Sequence, residues 1–454
     1  MTINGAGKPS PADLAREPLI LDDLLDNGQG VGRIGGLVAF VTGGLPGERV
    51  RIAVDALKRN HLSAHVTTIE NSSPDRIASV CPVFPECGGC QVLHLDYAAQ
   101  LVWKRRIVVQ ALQRLGGLPG VAVDETQPAE NMPRGYRNKV TLVSKFFDGR
   151  ARLGFYAARS HRVIDIESCP VLVPRLDEAV RKLIALAGAE PKIFAAARVV
   201  VARASTTTPD LVASFNGLRP NKPLSDALDR IRSSVPELSG VVADWEPESD
   251  NAVFGKRSAV LWGSPTTRER VAGVELTFGI ASFFQINTPV LEAMAKRLLG
   301  ALAGAGRVVD LYCGVGTFGV ILGKRGIPST GVESFKPAVD EAAANAAANG
   351  VTCAAFECAP VAQAVAGDHG RGLFEGAGAL ILDPPRKGCD PEAIAAIALH
   401  HPRIVEYVSC NPATLARDAK ALVAAGYRLQ RVTPFDMFPQ TGHVEVLAEF
   451  MLHG

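Results

Sequence analysis

The chain lacks any apolar run approaching the roughly 20 residues that cross a bilayer, and its polar, proline-containing start lacks the apolar stretch of a secretory signal. A soluble, cytoplasmic protein with no membrane partner is expected. Strong charge is also missing. With a formal net charge of only +2, a nucleic-acid partner would have to be held by local basic patches and not by a global field. A disulfide framework is excluded too: nine cysteines, an odd number, without an export signal point to thiols, metal ligands or catalysis. No internal repeat is evident. The length of 454 residues allows roughly two to four domains with well-buried cores.

Residues 1 to about 15 are rich in Gly, Pro, Ala and Ser with no apolar period, which reads as a mobile tail. From Leu19 to Ile69, short alternating apolar runs punctuated by Gly28, Gly30, Gly32, Gly35, Gly36, Gly43, Gly44 and Gly47 suit a small, tightly turned β-barrel. Arg33, Arg49, Arg51, Lys58, Arg59 and His61 give it basic character, so a generic barrel and a nucleic-acid-binding barrel both fit. After a Ser72-Ser73-Pro74 linker and a cysteine-rich stretch, Tyr97 to Leu115 reads as a helix, with Trp103, Ile107, Ala111 and Leu115 on its apolar face and Lys104, Arg105 and Arg106 elsewhere. Residues 135 to 265 mix alternating strands (Lys139 to Phe147, Arg198 to Arg203, Leu211 to Phe215) with a helix near Leu176 to Ala187, an α+β pattern.

From about Leu291 the style changes. Ala-rich helices alternate with fully apolar strands, Val308 to Tyr312, Ser329 to Val332, Ala379 to Leu382 and Ile404 to Val408, the signature of a parallel, doubly wound sheet. Tyr427 to Pro434 and His443 to Met451 are joined too closely for a helical crossover and should close the sheet as antiparallel strands.

Four motifs carry chemistry. The spacing Cys81-x5-Cys87-x2-Cys90 brings three thiolates to one centre, with Gly88-Gly89 letting the backbone wrap close; Cys169, next in sequence and followed by Pro170, is the natural fourth ligand. A [4Fe–4S] cluster and a structural zinc both remain open on spacing, the three-plus-one arrangement leaning towards the cluster. Val308 to Gly319 is a buried strand breaking into Gly314-x-Gly316-x-x-Gly319 and then a helix, and Glu333 ends the next strand, where a carboxylate can accept from both ribose hydroxyls of an adenosine-type cofactor. Asp383 ends a later strand before Pro384-Pro385, exposed at the carboxyl edge where open α/β sheets bind ligands. Cys410 ends the strand after that. Asn411 at an N-cap and Pro412 at the first helical position place it at a helix start, a setting that favours a thiolate. Gly314, Glu333, Asp383 and Cys410 should share one crevice. Cys313 and Cys389 lie nearby but lack the strand-end, Asn-Pro setting.

These residues carry a resemblance. The chain resembles the TRAM-domain, iron–sulfur, S-adenosylmethionine-dependent RNA 5-methyluridine methyltransferases, most closely the bacterial enzymes acting on 23S ribosomal RNA. It rests on Asp26 to Gly30, the Cys81/Cys87-Gly88-Gly89-Cys90 stretch, Tyr136-Arg137-Asn138-Lys139, Ser282 to Asn287, the glycine loop, Asp383 to Arg386, Ser409 to Pro412 and His443-Val444-Glu445. It implies an α/β fold: a Rossmann-like class I methyltransferase domain (276–454), an N-terminal TRAM/OB-like RNA-binding β-barrel (12–73) and an α+β central iron–sulfur domain (74–275) whose 97–115 helix packs on the catalytic part. It also implies that Cys81, Cys87, Cys90 and Cys169 hold a [4Fe–4S] cluster. S-adenosylmethionine is expected to meet Gln285, Tyr312, Glu333 and Asp383, with Gly314, Gly316 and Thr317 forming its loop, and Cys410 and Glu445 act as nucleophile and general base. The pattern departs where relatives carry Asn or Asp near the adenine. Here Cys358 stands.

The chemistry holds together. Uridine C5 is too weak a nucleophile to take a methyl group from a sulfonium unaided; a thiolate added to C6 makes C5 an enolate carbon, and a carboxylate then removes the C5 proton so that the cysteine can leave. By strand alternation between Val444 and Val446, Glu445 would face solvent, and the resemblance reverses that reading. A stacked base hides C5 and C6, so the target must be extruded, with Phe284 beside Gln285 a possible pocket wall. His443 could support the base or merely start its strand. Arg134, Arg137, Lys139, Lys104, Arg105 and Arg106 are candidate phosphate contacts. The expected partner is RNA, 23S rRNA first and tRNA second, bound by a monomer. The competing class is a non-catalytic RNA-binding or assembly factor that keeps the fold, against which intact Cys410 and Glu445 argue.

Overall fold

The structure, a computed structural model, describes residues 10–453 except 130–132, 221 and 250–251. The tail expected over residues 1 to 15 is partly helical: residues 1–9 lie outside the described residues, but α1 (Pro11–Arg16) is a turn of helix closed by a Ser10–Asp13 capping box. Its Leu14 is buried in the barrel core. Pro11 at the first helical position, read from composition as a loop signal, starts the helix instead.

Strands β1 (Leu19–Leu24), β2 (Gly30–Ile34), β3 (Leu37–Thr42), β4 (Arg49–Leu57) and β5 (His61–Asn71) close into a barrel in the order β1-β2-β3-β5-β4. Closure forces tight strand contacts. A Cβ on Gly32 would lie 2.4 Å from the Ile20 carbonyl oxygen, so no larger residue fits there. Arg49 and Arg51, part of the barrel's basic character, are both engaged by Glu70.

Helix α2 (Tyr97–Arg114) follows the cysteine loop, then the central sheet forms from β6 (Lys139–Phe147), β7 (Arg150–Tyr156), β8 (Val163–Asp165), β9 (Val199–Ala204), β10 (Leu211–Asn216), β11 (Gly240–Pro247) and β12 (Gly255–Gly263), ordered β12-β11-β10-β9-β6-β7-β8. One face of it is covered by α3 (Pro174–Ala189), α4 (Pro191–Ala196) and α5 (Lys222–Ser234). The other face carries Thr141, Val143 and Val199 into an open groove.

A hairpin, β13 (Thr266–Val271) and β14 (Val274–Gly279), precedes the last sheet. The boundary expected between residues 275 and 276 falls inside β14. The physical reason is packing: Val271, Val274, Leu276 and Phe278 sit in the same core as α6 (Thr288–Ala301). The last sheet runs β17 (Ala354–Cys358), β16 (Ser329–Glu333), β15 (Arg307–Leu311), β18 (Ala377–Leu382), β19 (Ile404–Ser409), β21 (Glu445–Leu452), β20 (Tyr427–Phe435). Its first five strands are parallel and the last two antiparallel. Helices α7 (Thr317–Lys324), α8 (Lys336–Ala348), α9 (Val361–Ala364), α10 (Gly367–Phe374), α11 (Pro391–His400) and α12 (Pro412–Ala424) complete the crossovers. Edge strand β17 has no apolar run and is half exposed, so it leaves no strand signal in the sequence.

Helix α2 packs on α12 and β20. Its buried stripe is Gln100, Trp103, Lys104, Val108 and Leu112, while Leu115 is exposed. Lys104, expected as a phosphate contact, is fully buried: its Nζ donates to Asp436 Oδ1 at 2.5 Å and to the Phe438 carbonyl at 2.8 Å. Arg105 bonds the Val123 and Asp124 carbonyls and Arg106 pairs with Asp23. That basic run is used to dock the helix. No helix among the described residues is long and apolar enough to cross a membrane.

Candidate active site

Strand β15 delivers the glycine loop. Tyr312, Gly314 and Gly316 take positive φ values of 67°, 54° and 77°, a sharp turn that ends at Thr317, the first residue of α7. Gly316 is also hemmed in, since a Cβ there would lie 2.8 Å from Ala342 Cβ and 2.9 Å from the Phe356 ring. The Gly314 amide donates to Glu333 Oε2 at 3.3 Å, and the Phe335 amide donates to Glu333 Oε1 at 2.8 Å. Glu333 is thereby fixed at the end of β16, with Cys358 beside it in register on β17. Tyr312 is held outward by Asp390, whose amide donates to the phenol oxygen at 3.2 Å. Nothing in the sequence marks that partner.

Gln285 is buried and enters from the loop after β14. That loop is gripped by the central sheet: the Asn138 amide donates to the Ile286 carbonyl at 3.0 Å, Asn138 Nδ2 to the Gln285 carbonyl at 3.3 Å, and the buried Arg203 to the Ser282 carbonyl at 3.3 Å. Phe284 is core, stacked on Phe278 with ring centroids 4.1 Å apart, so it walls no pocket. The free aromatic face belongs to its neighbour Phe283, 67% exposed, which the sequence reading passed over. A doublet of Phe residues cannot show by pattern which of the two turns inward.

Because β16, β15, β18 and β19 are adjacent and parallel, the chain turns just beyond them bring Glu333, the glycine loop, Asp383 and Cys410 to one edge. Antiparallel β21 then starts beside the end of β19, which adds Glu445, 1% exposed and with Oε1 unpaired. Asn411 caps α12 as its position suggests, accepting from the Ala413 amide at 3.1 Å and donating from Nδ2 to the Arg386 carbonyl at 3.0 Å.

Electrostatics at this edge differ from the sequence expectation. Cys410 was expected as a thiolate, yet burial, then Glu445 and Asp383, push its thiol up to about 11, with Arg386 opposing them. Burial and the charge of Glu333 raise Asp383 to about 7. Glu445 is raised well above the carboxylate range, by burial first and Asp383 second, again against Arg386. The helix-start effect of a few tenths to about 1 kcal/mol is outweighed by two nearby carboxylates and lost solvent. His443 lies before β21 and not within it, its Nε2 3.4 Å from the Arg386 guanidinium. Desolvation and that guanidinium push its imidazole down to about 4, so it is neutral at working pH. Cys313 and Cys389 are buried, 7% and 6% exposed, whereas Cys410 reaches the crevice.

Cys81, Cys87, Cys90 and Cys169 line a second cavity of about 180 Å³ with Arg137 and mostly apolar walls. Burial first, and then repulsion from the neighbouring thiols, raise Cys90, and Cys169 to about 11, with Arg137 opposing. Among the described residues no three His, Cys, Asp or Glu side chains stand close enough to hold a single metal ion. The four cysteines expected as cluster ligands thus line one cavity without forming a metal-holding group in this structure. A groove of about 900 Å³ runs past this loop, bounded by the barrel at Asp26 to Gln29, the central sheet at Thr141 and Tyr156, and Gly442 and His443 of the crevice.

Known proteins share this layout. A model of the tRNA (uracil-5-)-methyltransferase family matches residues 269–450, and a TRAM domain model matches residues 17–67. An uncharacterized RNA methyltransferase of Listeria monocytogenes is 35% identical over 96% of this chain and 97% of its own. One from Gloeobacter violaceus is 38% identical over 94% of each. The solved structure of the Pyrococcus abyssi tRNA (uracil-54, C5)-methyltransferase in complex with S-adenosyl-L-homocysteine superposes with a TM-score of 0.75 at 26% identity, covering 96% of this chain and 99% of that one.

Proposed function

The chain belongs to the S-adenosylmethionine-dependent RNA (uracil-5-)-methyltransferases with an N-terminal TRAM domain, and on that footing we propose that it methylates C5 of one uridine in 23S rRNA by covalent catalysis from Cys410. The observation that carries the reading is the meeting of Cys410, Glu445 and Asp383 at one strand edge, near enough for the charge of Asp383 to act on both of the others. The methyl donor lies along the glycine loop: Gly314, Gly316 and Thr317 follow its methionine end, Glu333 takes its ribose, and Gln285, Tyr312 and Asp383 meet the rest.

A donor that carries a sulfonium brings positive charge beside Asp383. Burial first and carboxylate repulsion second keep Cys410 and Glu445 protonated; the added positive charge opposes both, so the thiol loses its proton to solvent and Glu445 ionises. Cys410 Sγ then bonds to C6 of the extruded base, C5 displaces the methyl group from the donor, and the C5 proton passes to Glu445 as the sulfur leaves. Arg386 favours the ionised state of both groups. Phe283 offers a ring face on which an extruded base can stack.

Cys81, Cys87, Cys90 and Cys169 are proposed to hold a [4Fe–4S] cluster, which would tie the 81–90 loop to the Cys169 turn. Support comes from the four cysteines that line one cavity. Protein purified without oxygen should be brown, absorbing near about 400 nm. A colourless, zinc-loaded protein refutes the cluster.

A second substrate has a specific observation behind it. The Pyrococcus protein acts on tRNA and aligns over nearly the whole of this chain, so tRNA is the alternative. Mass mapping of 5-methyluridine in ribosomal and transfer RNA from a strain lacking the protein decides between them; if no site loses its methyl group, the function is refuted. Methylation retained in full by Cys410→Ala would refute the mechanism.

A further inference from the structure

The nine residues between β20 and β21 hand four consecutive main-chain carbonyls to four different parts of the molecule. Met437 accepts from Asn287 Nδ2 at 3.3 Å, Phe438 from Lys104 Nζ at 2.8 Å, Pro439 from the Tyr136 hydroxyl at 3.0 Å, and Gln440 from the Gln91 and Val92 amides at 3.0 and 3.1 Å. Gln91 and Val92 directly follow Cys90. Gln440 itself is 5% exposed and holds a φ of +70°, a left-handed backbone that costs a residue other than glycine on the order of 1 kcal/mol. Its remaining polar groups are satisfied as well. The amide donates to Gln100 Oε1 at 3.0 Å, Oε1 accepts from Gln100 Nε2 at 2.9 Å, and Nε2 donates to the Pro133 carbonyl at 3.1 Å.

Five residues on stands Glu445, and the chain between has little room to absorb movement. A Cβ on Gly442 would lie 1.5 Å from the barrel's Asp26 carbonyl oxygen and 3.3 Å from the Trp103 ring. On the cysteine side, Phe438 packs with Cys90 and Cys169 in the small cluster around Tyr136. A shift of the cysteine loop is therefore passed by the Gln91 and Val92 hydrogen bonds to Gln440 and along five residues of chain to Glu445. The donor's glycine loop and Glu333 hang instead from β15 and β16, beyond β18 and β19 in the sheet.

We propose that Gln440 is a positioning residue that makes the placement of Glu445 depend on the folded state of the Cys81–Cys90 loop, leaving the part of the donor site carried by β15 and β16 independent of it. The inference rests on the role given to Glu445 above. Its consequence is specific to one step: uncoupling should slow removal of the C5 proton, so that methylated enzyme–RNA adduct accumulates, while donor binding is kept.

The test uses the full-length protein with its cysteine site loaded, and two variants. Gln440→Gly removes the side-chain amide but keeps the left-handed backbone; Gln100→Ala removes the partner and leaves Gln440 intact. Unmodified total RNA from a strain lacking the protein, with methyl-labelled S-adenosylmethionine, supplies the substrate whichever RNA it is. Both variants should show faster deuterium uptake over residues 437–445, an S-adenosylhomocysteine Kd within about twofold of wild type, and adduct resolved about ten- to a hundredfold more slowly, seen as label retained on protein in denaturing gels. Cys90→Ser should give the same uptake change. Unchanged uptake, or donor binding and methyl transfer falling in parallel with no adduct build-up, overturns the proposal. A wild-type protein that labels none of this RNA overturns the proposed function instead, and the deuterium uptake still decides the coupling.

Discussion

Cys410 in the ligand-free protein should behave as a thiol, and S-adenosylmethionine should be what acidifies it. With the thiol held at about 11, only about one molecule in a thousand is thiolate at pH 8, against roughly a quarter for an ordinary cysteine near 8.5. The rate of Cys410 alkylation by iodoacetamide, followed on its own peptide by mass spectrometry, should rise about tenfold per pH unit through pH 9 and 10 and level off near 11. A sulfonium placed about 6 Å from the sulfur contributes about 2 to 3 kcal/mol at an effective dielectric constant near 20, or about two pH units. S-adenosylmethionine should therefore bring the midpoint down to about 9. S-adenosylhomocysteine fills the same space without that charge and should leave it near 11. A midpoint at or below about 8.5 in the free protein, or equal shifts from the two ligands, would refute the electrostatic account.

Asp383 gives a second pH signature. The folded protein keeps this proton up to about pH 7 while an unfolded aspartate releases it near 3.8, so the stability that protonation lends is complete below about pH 4 and gone above about pH 7. The melting temperature of ligand-free protein should fall from pH 5 to 8, and Asp383→Asn should flatten that fall. Lys104→Ala strands the buried Asp436 carboxylate and should cost about 3 to 5 kcal/mol in urea denaturation, whereas Lys104→Met with Asp436→Leu should recover most of it. Equal losses in the single and double variants would contradict this. Gly316→Ala must hold a positive φ and push on Ala342 and Phe356. It should weaken donor binding, read by calorimetry, and destabilise by more than about 1 kcal/mol; wild-type affinity would refute the tight-turn argument.

Much of the site was readable because its signals are local. Gly314 and Gly316 announce a turn that other residues cannot make, Pro384-Pro385 stop a strand, and Asn411-Pro412 start a helix. Apolar runs gave β15, β16, β18 and β19, and parallel strands with helical crossovers must present their carboxyl ends together. The misreadings share a different cause. Lys104 looked like part of a solvated basic run until Asp436, 332 residues away, neutralised it. Glu445 alternates with valines and should by period face water, but β21 is an inner strand with both faces covered. Phe284, expected as a pocket wall, is core and its neighbour Phe283 carries the free ring face, because only packing against Phe278 selects which ring is buried.

By itself the sequence determined where strands end, which turns require glycine, and which thiol and carboxylates stand at those ends, since these follow from backbone sterics and hydrogen-bond geometry within a few residues. The tertiary structure decided protonation and support: a Cys410 kept as a thiol by burial and then by Glu445 and Asp383, and a Gln440 that joins the cysteine loop to the segment leading into β21. Ionisation depends on lost solvent and on charges brought close by folding, and the residues that supply both come from segments hundreds of positions apart.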